Sequence, residues 1–533
     1  MASLLRGRLL YLTALIAGAA ALAAGWYLLA EPADPTPPQR YVEGVTGQPE
    51  RISPLFAALN EVDADLASLV FDGLTRIDGA GVPRPNLAER WDITADGLTY
   101  TFHLRRNVFW HDGEPFDAAD VAFTVAQVQA PGFRGDRALA AQWSGVVVTV
   151  IDSHTVAVRL PAPSASLLTR AALGLVPEHL AGRPETSRLR PIGTGAFRAV
   201  EVTERHALLR RHPGYHAGVP ALHEIELRFH ANRPALAAAL GAGEVDAALL
   251  ERPSTAAETL AVAARPDLAT SELAQGGFTV LYLNNQRDPL NDIRLRQAIA
   301  AAIDVPSLNA AATTAGAGGL PGDGPILPAS WAYVAGEWPP PGRAAELFDA
   351  AGWLLGGDGA RQRGGVPLLL ALATNAAPVR EAFATEIADR LGAFGVAVEV
   401  TTMPSAELVS RHLEPRDYGM AIFGWETEID PDPYGAWHTS QILPPGRNVA
   451  GYNDALADSL LEAARTTLDE FERRDLYVRF TERFVETVPS VVLQYPARTY
   501  AHPAALRGLT GGILFEPSDR FRDVHLWRLD GIE

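Results

Sequence analysis

Five consecutive segments between residues 366 and 425 alternate between strand and helix patterns, and this alternation constrains the fold more than any other feature. The segments are VPLLLALAT (366–374), PVREAFATEIADRLGAFG (378–395), VAVEVTT (396–402), SAELVSRHL (405–413) and YGMAIFGW (418–425). The first, third and fifth are rich in apolar residues, as strands are, and the second begins with proline and ends with glycine, as helices do. A β-α-β-α-β order implies a parallel sheet with right-handed crossovers, so the sequence predicts an α/β protein.

Acidic residues follow directly after the last of these strands. The stretch GWETEIDPDPY (424–434) places four carboxylates within seven residues, beside a tryptophan and two prolines. Ligands of open α/β sheets bind outside the carboxyl ends of the strands, which favours a binding role. A catalytic pair of acids and a solvated turn without a ligand are the alternatives. A calcium loop starting at Asp430 does not fit, because Tyr434 and Gln441 occupy its fifth and twelfth positions.

Charge and composition exclude several classes of protein. The net charge is −18, and a nucleic-acid-binding protein would need a basic surface instead. The chain has no cysteine and no lysine, since all 45 cationic side chains are arginine. Disulfides, thiol catalysis, cysteine-bound zinc, Walker A phosphate loops and lysine Schiff bases are therefore excluded.

Histidines do not form a convincing metal or catalytic motif. Five of the 13 histidines lie between residues 206 and 230. Pro213 and Gly214 separate His212 from His216, so the two rings need not share a helix face, and we interpret these histidines as structural or surface residues. The sequence also lacks the HExxH and GxSxG motifs. We therefore predict a protein that is not an enzyme, with no catalytic residues, no metal and no cofactor.

The N-terminus predicts export. Arg6 and Arg8 precede an apolar run from residue 9 to residue 30, and Glu31 and Asp34 follow it. The run is long enough to span a bilayer, and the charges place the N-terminus inside and the body of the protein outside. An uncleaved helix would tether the protein to the outer face of the inner membrane, whereas cleavage near Ala24 would release it.

Blocks spread over most of the exported region resemble the family-5 solute-binding proteins of bacterial ABC importers, the group that contains oligopeptide-, dipeptide- and nickel-binding proteins. No single block is specific, but their order along the chain is. The main blocks are VFDGLTRID (70–78), PNLAERWDITADGLTYTFHLRRNVFWHDGEPFDAADVAF (85–123), PIGTGAFR (191–198), RHPGYHAGVPALHEIELRF (211–229), AGEVDAAL (242–249), YLNNQRDPLNDIRLRQAIAAAID (282–304), AAELFDAAGW (344–353), FGWETEIDPDPY (423–434) and NVAGYNDALADSLLEAA (448–464).

This resemblance implies a two-lobed periplasmic-binding-protein fold of the cluster C type, with an inserted third subdomain in the first lobe. Residues 1–40 would be the signal or anchor and a proline-rich linker. The first lobe would comprise residues 41–78, 190–275 and 500–533, the inserted subdomain 79–189, and the second lobe 276–499. Gly276–Gly277 and Tyr495–Pro496 are the expected hinge crossings.

The resemblance also implies the site. In peptide-binding members of the family, an acid three residues after the tryptophan of the GW pair holds the ligand ammonium, which corresponds to Glu428 here. The Asp-Pro pair lies one residue later than in the family, so Asp430 is a rival for this role. The remaining expected ligand-binding residues are Trp425, Glu426, Thr427 and Tyr434 on the second lobe and Asp63, Ala64 and Asp65 as an opposing backbone strand on the first.

The implied function is capture of short peptides in the periplasm and their delivery to an ABC permease, by a protein expected to be a monomer. Two alternatives stay open. The same fold binds other small solutes such as a nickel chelate, heme or an oligosaccharide, and a membrane-anchored sensor would use the two lobes without transport.

Overall fold

Strands and helices alternate along the chain. The structure is a computed structural model that describes residues 39–182, 190–252, 254–314 and 319–531. Residues Arg40–Asp530 form one compact unit. The predicted apolar run at residues 9–30 lies outside the described residues. Within the described ranges, none of the helices has the length and hydropathy that crossing a bilayer requires.

The strands of the described residues follow in chain order. They are β1 (Arg40–Thr46), β2 (Thr75–Ile77), β3 (Pro83–Pro85), β4 (Ala88–Ile93), β5 (Thr99–Leu104), β6 (Val147–Asp152), β7 (Thr155–Arg159), β8 (Phe197–Val202), β9 (His206–Arg211), β10 (Glu224–His230), β11 (Ala247–Leu250), β12 (Leu268–Gln275), β13 (Gly277–Leu283), β14 (Gly319–Pro321), β15 (Leu354–Leu355), β16 (Arg361–Arg363), β17 (Val366–Pro367), β18 (Leu369–Asn375), β19 (Ala397–Met403), β20 (Met420–Glu426), β21 (Ser490–Pro503), β22 (Leu506–Arg507), β23 (Ile513–Leu514) and β24 (Arg528–Leu529).

The α-helices lie between these strands. They are α1 (Glu61–Val70), α2 (Ala118–Gln129), α3 (Arg137–Gln142), α4 (Leu167–Arg170), α5 (Arg233–Ala242), α6 (Ala256–Ala263), α7 (Ile293–Ile303), α8 (Val305–Thr314), α9 (Ala344–Ala350), α10 (Pro378–Ala393), α11 (Ser405–Leu408), α12 (Tyr434–Trp437), α13 (Ala455–Thr466) and α14 (Glu470–Thr487). A π-helical turn, Val409–Leu413, follows α11. Short 3-10 helices are Ala57–Leu59, Glu178–Leu180, Pro341–Arg343, Thr439–Gln441, Pro517–Phe521 and Val524–Leu526.

The β-α-β-α-β pattern predicted between residues 366 and 425 is confirmed. Strand β18 pairs in parallel with β19 on one side and with β20 on the other. Pro378 is the first residue of α10, where its missing N–H is not needed. Gly395 follows the C-cap with a positive φ of 82°, which glycine adopts readily. The predicted first strand is divided into β17 and β18 at Leu368.

One long strand joins two halves of the main sheet. Among the described residues, this sheet has 13 strands, ordered β19-β18-β20-β13-β21-β11-β1-β10-β9-β8 with β12, β14 and β23 beside this path. The first part of β21 pairs with β13 and β14, and its later part pairs with β12 and β11. The chain therefore passes between the halves along β21 and again where β12 leads into β13.

Two glycines allow the close packing at the second passage. A Cβ on Gly276 would lie 2.7 Å from Cδ1 of Phe515, and one on Gly277 would lie 2.8 Å from the Trp425 carbonyl oxygen. Side chains at these positions would push the neighbouring segments apart. This tight junction brings the C-terminal segment against the end of β20.

Buried side chains form separate hydrophobic clusters. One contains Leu281, Ile299, Leu372 and Phe383 beneath β13 and β18, and another contains Tyr41, Leu209, Ile225 and Trp527 beneath β1, β9 and β10. A third cluster lies against the four-stranded antiparallel sheet β4-β5-β7-β6. The residues 88–159 that build this smaller sheet thus have a core of their own.

Candidate functional site

The acidic stretch lies where strand β20 ends. Strand β20 ends at Glu426, and residues 427–433, here called the acidic loop, lead into α12. The Thr427 backbone N–H donates to the Gly276 carbonyl over 2.9 Å, which ties the start of the loop to the β12–β13 passage. Because β20 runs parallel to β18, the loop lies at the carboxyl edge of this part of the sheet, where ligands of such sheets bind.

The acidic loop forms one wall of a cavity of about 340 Å³. The wall includes six of the sequence-predicted site residues, namely Trp425, Glu426, Thr427, Glu428, Asp430 and Tyr434. The rest of the lining is mixed: apolar side chains such as Phe278, Ile326, Leu327, Trp437, Ile513 and Phe515 lie beside the polar Ser330, Gln441, Arg447 and Arg465. The structure therefore brings the predicted second-lobe residues together around one cavity.

Asp430 is held by an arginine of α14. Its two carboxylate oxygens accept hydrogen bonds from Arg473 at 2.9 and 2.5 Å, and each side chain of the pair is only 8% exposed. Arg473 also donates to the Ala464 carbonyl and the Tyr477 hydroxyl. Burial alone would lower the pKa of Arg473, but the charge and hydrogen bonds of Asp430 outweigh it and raise that pKa. The pair anchors the acidic loop to the helix below it.

Asp432, like Asp430, pairs with an arginine of the protein. Its carboxylate accepts from the Tyr434 backbone N–H at 3.0 Å and lies 3.0 Å from Nε of Arg465. Burial raises the pKa of Asp432, and these two contacts reduce the rise. The Arg465 guanidinium in turn lies 4.3 Å from the ring centroid of Tyr434, which stacks on His438 at 4.0 Å. Asp432 and Tyr434 thus stabilise the start of α12.

Glu426 and Glu428 differ from these two aspartates because their side chains are exposed. Neither forms an ion pair or a hydrogen bond with any residue that the structure describes. Glu516, from the C-terminal segment, adds a further carboxylate nearby. Desolvation, followed by the charges of Asp519 and Glu426, raises the pKa of Glu516. The carboxylates of Glu426 and Glu428 give one part of the lining a negative charge that favours a cationic group, whereas Arg447 and Arg465 make another part positive.

Thr427 and Trp425 are uncharged residues of the cavity wall. The Thr427 hydroxyl is buried and has no hydrogen-bond partner among the described residues. Trp425 is partly buried and packs edge-to-face on Phe423 at 5.4 Å, which leaves it as part of an aromatic surface.

The prediction of an extended backbone at Asp63, Ala64 and Asp65 is wrong. All three lie in helix α1, because Asn60 caps its N-terminus by accepting from the N–H groups of Val62 and Asp63. The Asp63 carboxylate accepts from the backbone of Glu50 and Arg51, and Asp65 pairs with buried Arg520 at 2.6 Å.

Neither the aspartates nor Ala64 lines the acidic-loop cavity. Ala64 lines a cavity of about 210 Å³, and Asp65 lines a third cavity of about 540 Å³ beside the ends of β1 and α5. Their backbone N–H groups follow the helical pattern, so a strand of ligand has nothing to pair with here.

Several residues of the site were not predicted from sequence. Arg473 is 43 positions from Asp430 in the chain, and Ile513 and Phe515 belong to the C-terminal segment. No local pattern links these positions to the acidic loop, since only the folded sheet brings them together. One feature of the sequence did point to this part of the site. Asp469 is a favourable N-cap residue, and it predicts the start of the helix that contains Arg473.

No histidine of the described residues lines this cavity, although His438 stacks on Tyr434 of its wall. His111 and His212 are in edge contact at 5.1 Å, and His216 pairs with Asp72 at 3.1 Å. In the part of the chain that the structure describes, no three His, Asp or Glu side chains come together in a way that could hold a metal ion.

The arrangement defines a class: a mixed α/β binding protein with a ligand-sized cavity at the carboxyl edge of one half of its sheet. The family model described as "Bacterial extracellular solute-binding proteins, family 5 Middle" matches residues 82–442. The chain belongs to this family of extracellular solute-binding proteins, whose fold is two-lobed.

Relatives of known name share most of the chain. It is 25% identical over 512 residues to the oligopeptide-binding protein AppA of Bacillus subtilis, covering 92% of this chain and 91% of AppA. It is 27% identical to di/tripeptide-binding protein 2 of Pseudomonas aeruginosa, covering 78% and 82%. It is 26% identical to heme-binding protein A of Haemophilus influenzae, covering 74% and 75%.

A solved structure of AppA from Bacillus subtilis, in complex with a nonapeptide, has the same fold. The TM-score is 0.62 at 24% identity, and the match covers 92% of this chain and all of that one.

Proposed function

We propose that this protein captures short peptides in its acidic-loop cavity and delivers them to an ABC permease. Its family supports solute binding, and two of the named relatives are peptide-binding proteins. The observation that carries the proposal is the free carboxylate of Glu428. It lines the cavity and forms no ion pair or hydrogen bond with a described residue, although the charge of Arg170 acts on it, and a peptide ammonium would complete a charge-assisted hydrogen bond there.

Glu428 is a better clamp than Asp430. To accept a ligand ammonium, Asp430 would have to give up Arg473 and leave that buried guanidinium unpaired. Asp432 also pairs with an arginine, Arg465, although that arginine is half exposed. Glu428 forms no such ion pair with any residue that the structure describes. We assign Asp430 to anchoring of the loop and Glu428 to the ligand.

The experiment is calorimetric titration of trialanine and N-acetyl-trialanine. Wild-type protein should bind the free amine more tightly, because acetylation removes the ammonium that Glu428 holds. Glu428→Gln should weaken binding of trialanine by about tenfold to 150-fold, in line with the roughly 1.5–3 kcal/mol that a hydrogen bond to a charged group contributes. Binding of the acetylated peptide should change little.

Glu399→Gln is the matched control. Glu399 is exposed on β19 of the same sheet and lies outside the cavity lining. Equal trialanine affinities of wild type and Glu428→Gln would remove the clamp assignment.

Heme is a second candidate ligand, because one relative is a heme-binding protein. The acidic-loop cavity favours the peptide instead. Within the described residues, no histidine lines it, and its volume of about 340 Å³ is near the lower end of the range for small-molecule pockets. Heme titration followed by absorbance at the Soret band separates the two, since the peptide proposal expects no saturable spectral change.

We further propose that the apolar run at residues 9–30 exports the chain to the periplasm and remains as a tether to the inner membrane. The run has a bilayer's length, and basic residues precede it. Mass spectrometry of the mature N-terminus checks this. The tether predicts a membrane-fraction protein that retains residues 1–30, and a soluble form beginning near Ala24 would contradict it.

A further inference from the structure

One part of the wall of the acidic-loop cavity is apolar. Glu426 and Glu428 line another part, whereas the apolar part is built from buried hydrophobic side chains. These are Phe278, Ile326, Leu327, Trp437 and Ile513, each at most 6% exposed. The ligand ammonium at Glu428 does not use this space, because a charged group would lose its hydration there without compensation.

We propose that the cavity admits one large hydrophobic side chain from the first two residues of the peptide, so that the protein selects peptides by a bulky residue near their N-terminus. This inference rests on the proposed function, since it takes the ammonium position from Glu428. Glu428 and the apolar wall line the same cavity, so a side chain close to the ammonium is the part of the ligand that reaches the wall.

The volume supports one side chain rather than several. About 340 Å³ accommodates an aromatic residue together with the adjoining backbone, but it is small for a long peptide with all its side chains. Burial of an aromatic side chain is also the largest hydrophobic gain that a single residue can bring. Residues further along the peptide would lie outside this wall and contribute less to selection.

Gly435 provides a way to fill the cavity without disturbing the fold. It lines the cavity within α12, and a Cβ added to it would meet no atom within 4 Å. Gly435→Leu therefore places a hydrophobic side chain where space exists. Gly392→Leu is the matched control, because Gly392 lies in α10, is exposed and has the same freedom around its Cβ.

The test is calorimetric titration of Phe-Ala-Ala, Ala-Phe-Ala, Ala-Ala-Phe and Ala-Ala-Ala against wild type and both variants. In wild type, phenylalanine at position one or two should tighten binding about tenfold to a hundredfold over Ala-Ala-Ala, as burial of its side chain requires. Phenylalanine at position three should not. Gly435→Leu should abolish the preference for phenylalanine, and Gly392→Leu should keep both this preference and the affinity for Ala-Ala-Ala.

Equal affinities of the four peptides for wild type would overturn the inference and leave the proposed function standing. A preference that persists unchanged in Gly435→Leu would also overturn it. If none of the four peptides binds wild type, the proposed function fails along with it.

Discussion

At the scale of single residues, the partners of the acidic side chains determine their roles. The sequence places Glu428 and Asp430 two positions apart with the same charge, and the family pattern fits either one imperfectly. The folded chain separates them, because Arg473 reaches Asp430 from 43 positions away and leaves Glu428 exposed. Residue types near one strand end could thus be predicted, but their pairing could not, since it depends on a contact between distant elements.

Asp430→Asn should destabilise the protein. The substitution leaves the buried guanidinium of Arg473 without its counter-charge, and loss of one partner of a buried pair costs roughly 3–5 kcal/mol. Denaturant unfolding of the ligand-free protein measures the change. Asp432→Asn is the control, because Arg465 is half exposed and such pairs contribute about 0–1 kcal/mol. Equal stability of Asp430→Asn and wild type would contradict the anchoring role.

At the scale of elements, the strands and helices between residues 366 and 425 could be predicted from their periodicity, but helix α1 was missed. The parallel arrangement of β18, β19 and β20 was predictable because apolar strands alternate with helices that have proline and glycine at their ends. Helix α1 was mistaken for a strand at Asp63–Asp65. Its first turn is stabilised by the Asn60 cap, and this local signal outweighs the family-based expectation of a strand.

The junction between the turn at His111 and the segment at His212 should make the protein acid-sensitive. Burial lowers the pKa of His111 to about 4, and it lowers the pKa values of His212 and His525 as well. Asp72, Arg198 and His216 are the other charged or titratable groups around this junction. Since the folded-state pKa of His111 lies below its unfolded value, its contribution is complete above pH 6.5 and is lost as the pH falls towards 4.

The loss for His111 alone is on the order of 3 kcal/mol, because burial lowers its pKa from 6.5 to about 4. Unfolding by denaturant at pH 7.5, 6.0 and 4.5 measures it. His111→Gln should flatten the dependence, because glutamine can still donate to the Gly195 carbonyl that His111 Nε2 contacts at 2.9 Å and does not titrate. His154→Gln on a turn of the four-stranded sheet is the control, and identical pH profiles for wild type and His111→Gln would refute the assignment.

At the scale of the whole molecule, the order of sequence blocks predicted the two-lobed fold before any contact was known, because topology is shared across the family. We propose that residues 41–78, 190–275 and 500–533 form the first lobe, 276–499 the second and 79–189 the insertion, with hinges where β12 meets β13 and along β21. On this assignment, Ile513 and Phe515, which line the cavity, would belong to the first lobe and the acidic loop to the second. A ligand that contacts both stabilises the closed arrangement.

The most direct test of this account is a crystal structure of the protein with Phe-Ala-Ala. The peptide ammonium should lie roughly 2.7–2.9 Å from a carboxylate oxygen of Glu428, with the phenylalanine ring against Trp437 and Asp430 still paired with Arg473. A peptide bound elsewhere, with the Glu428 carboxylate directed into solvent, would contradict it.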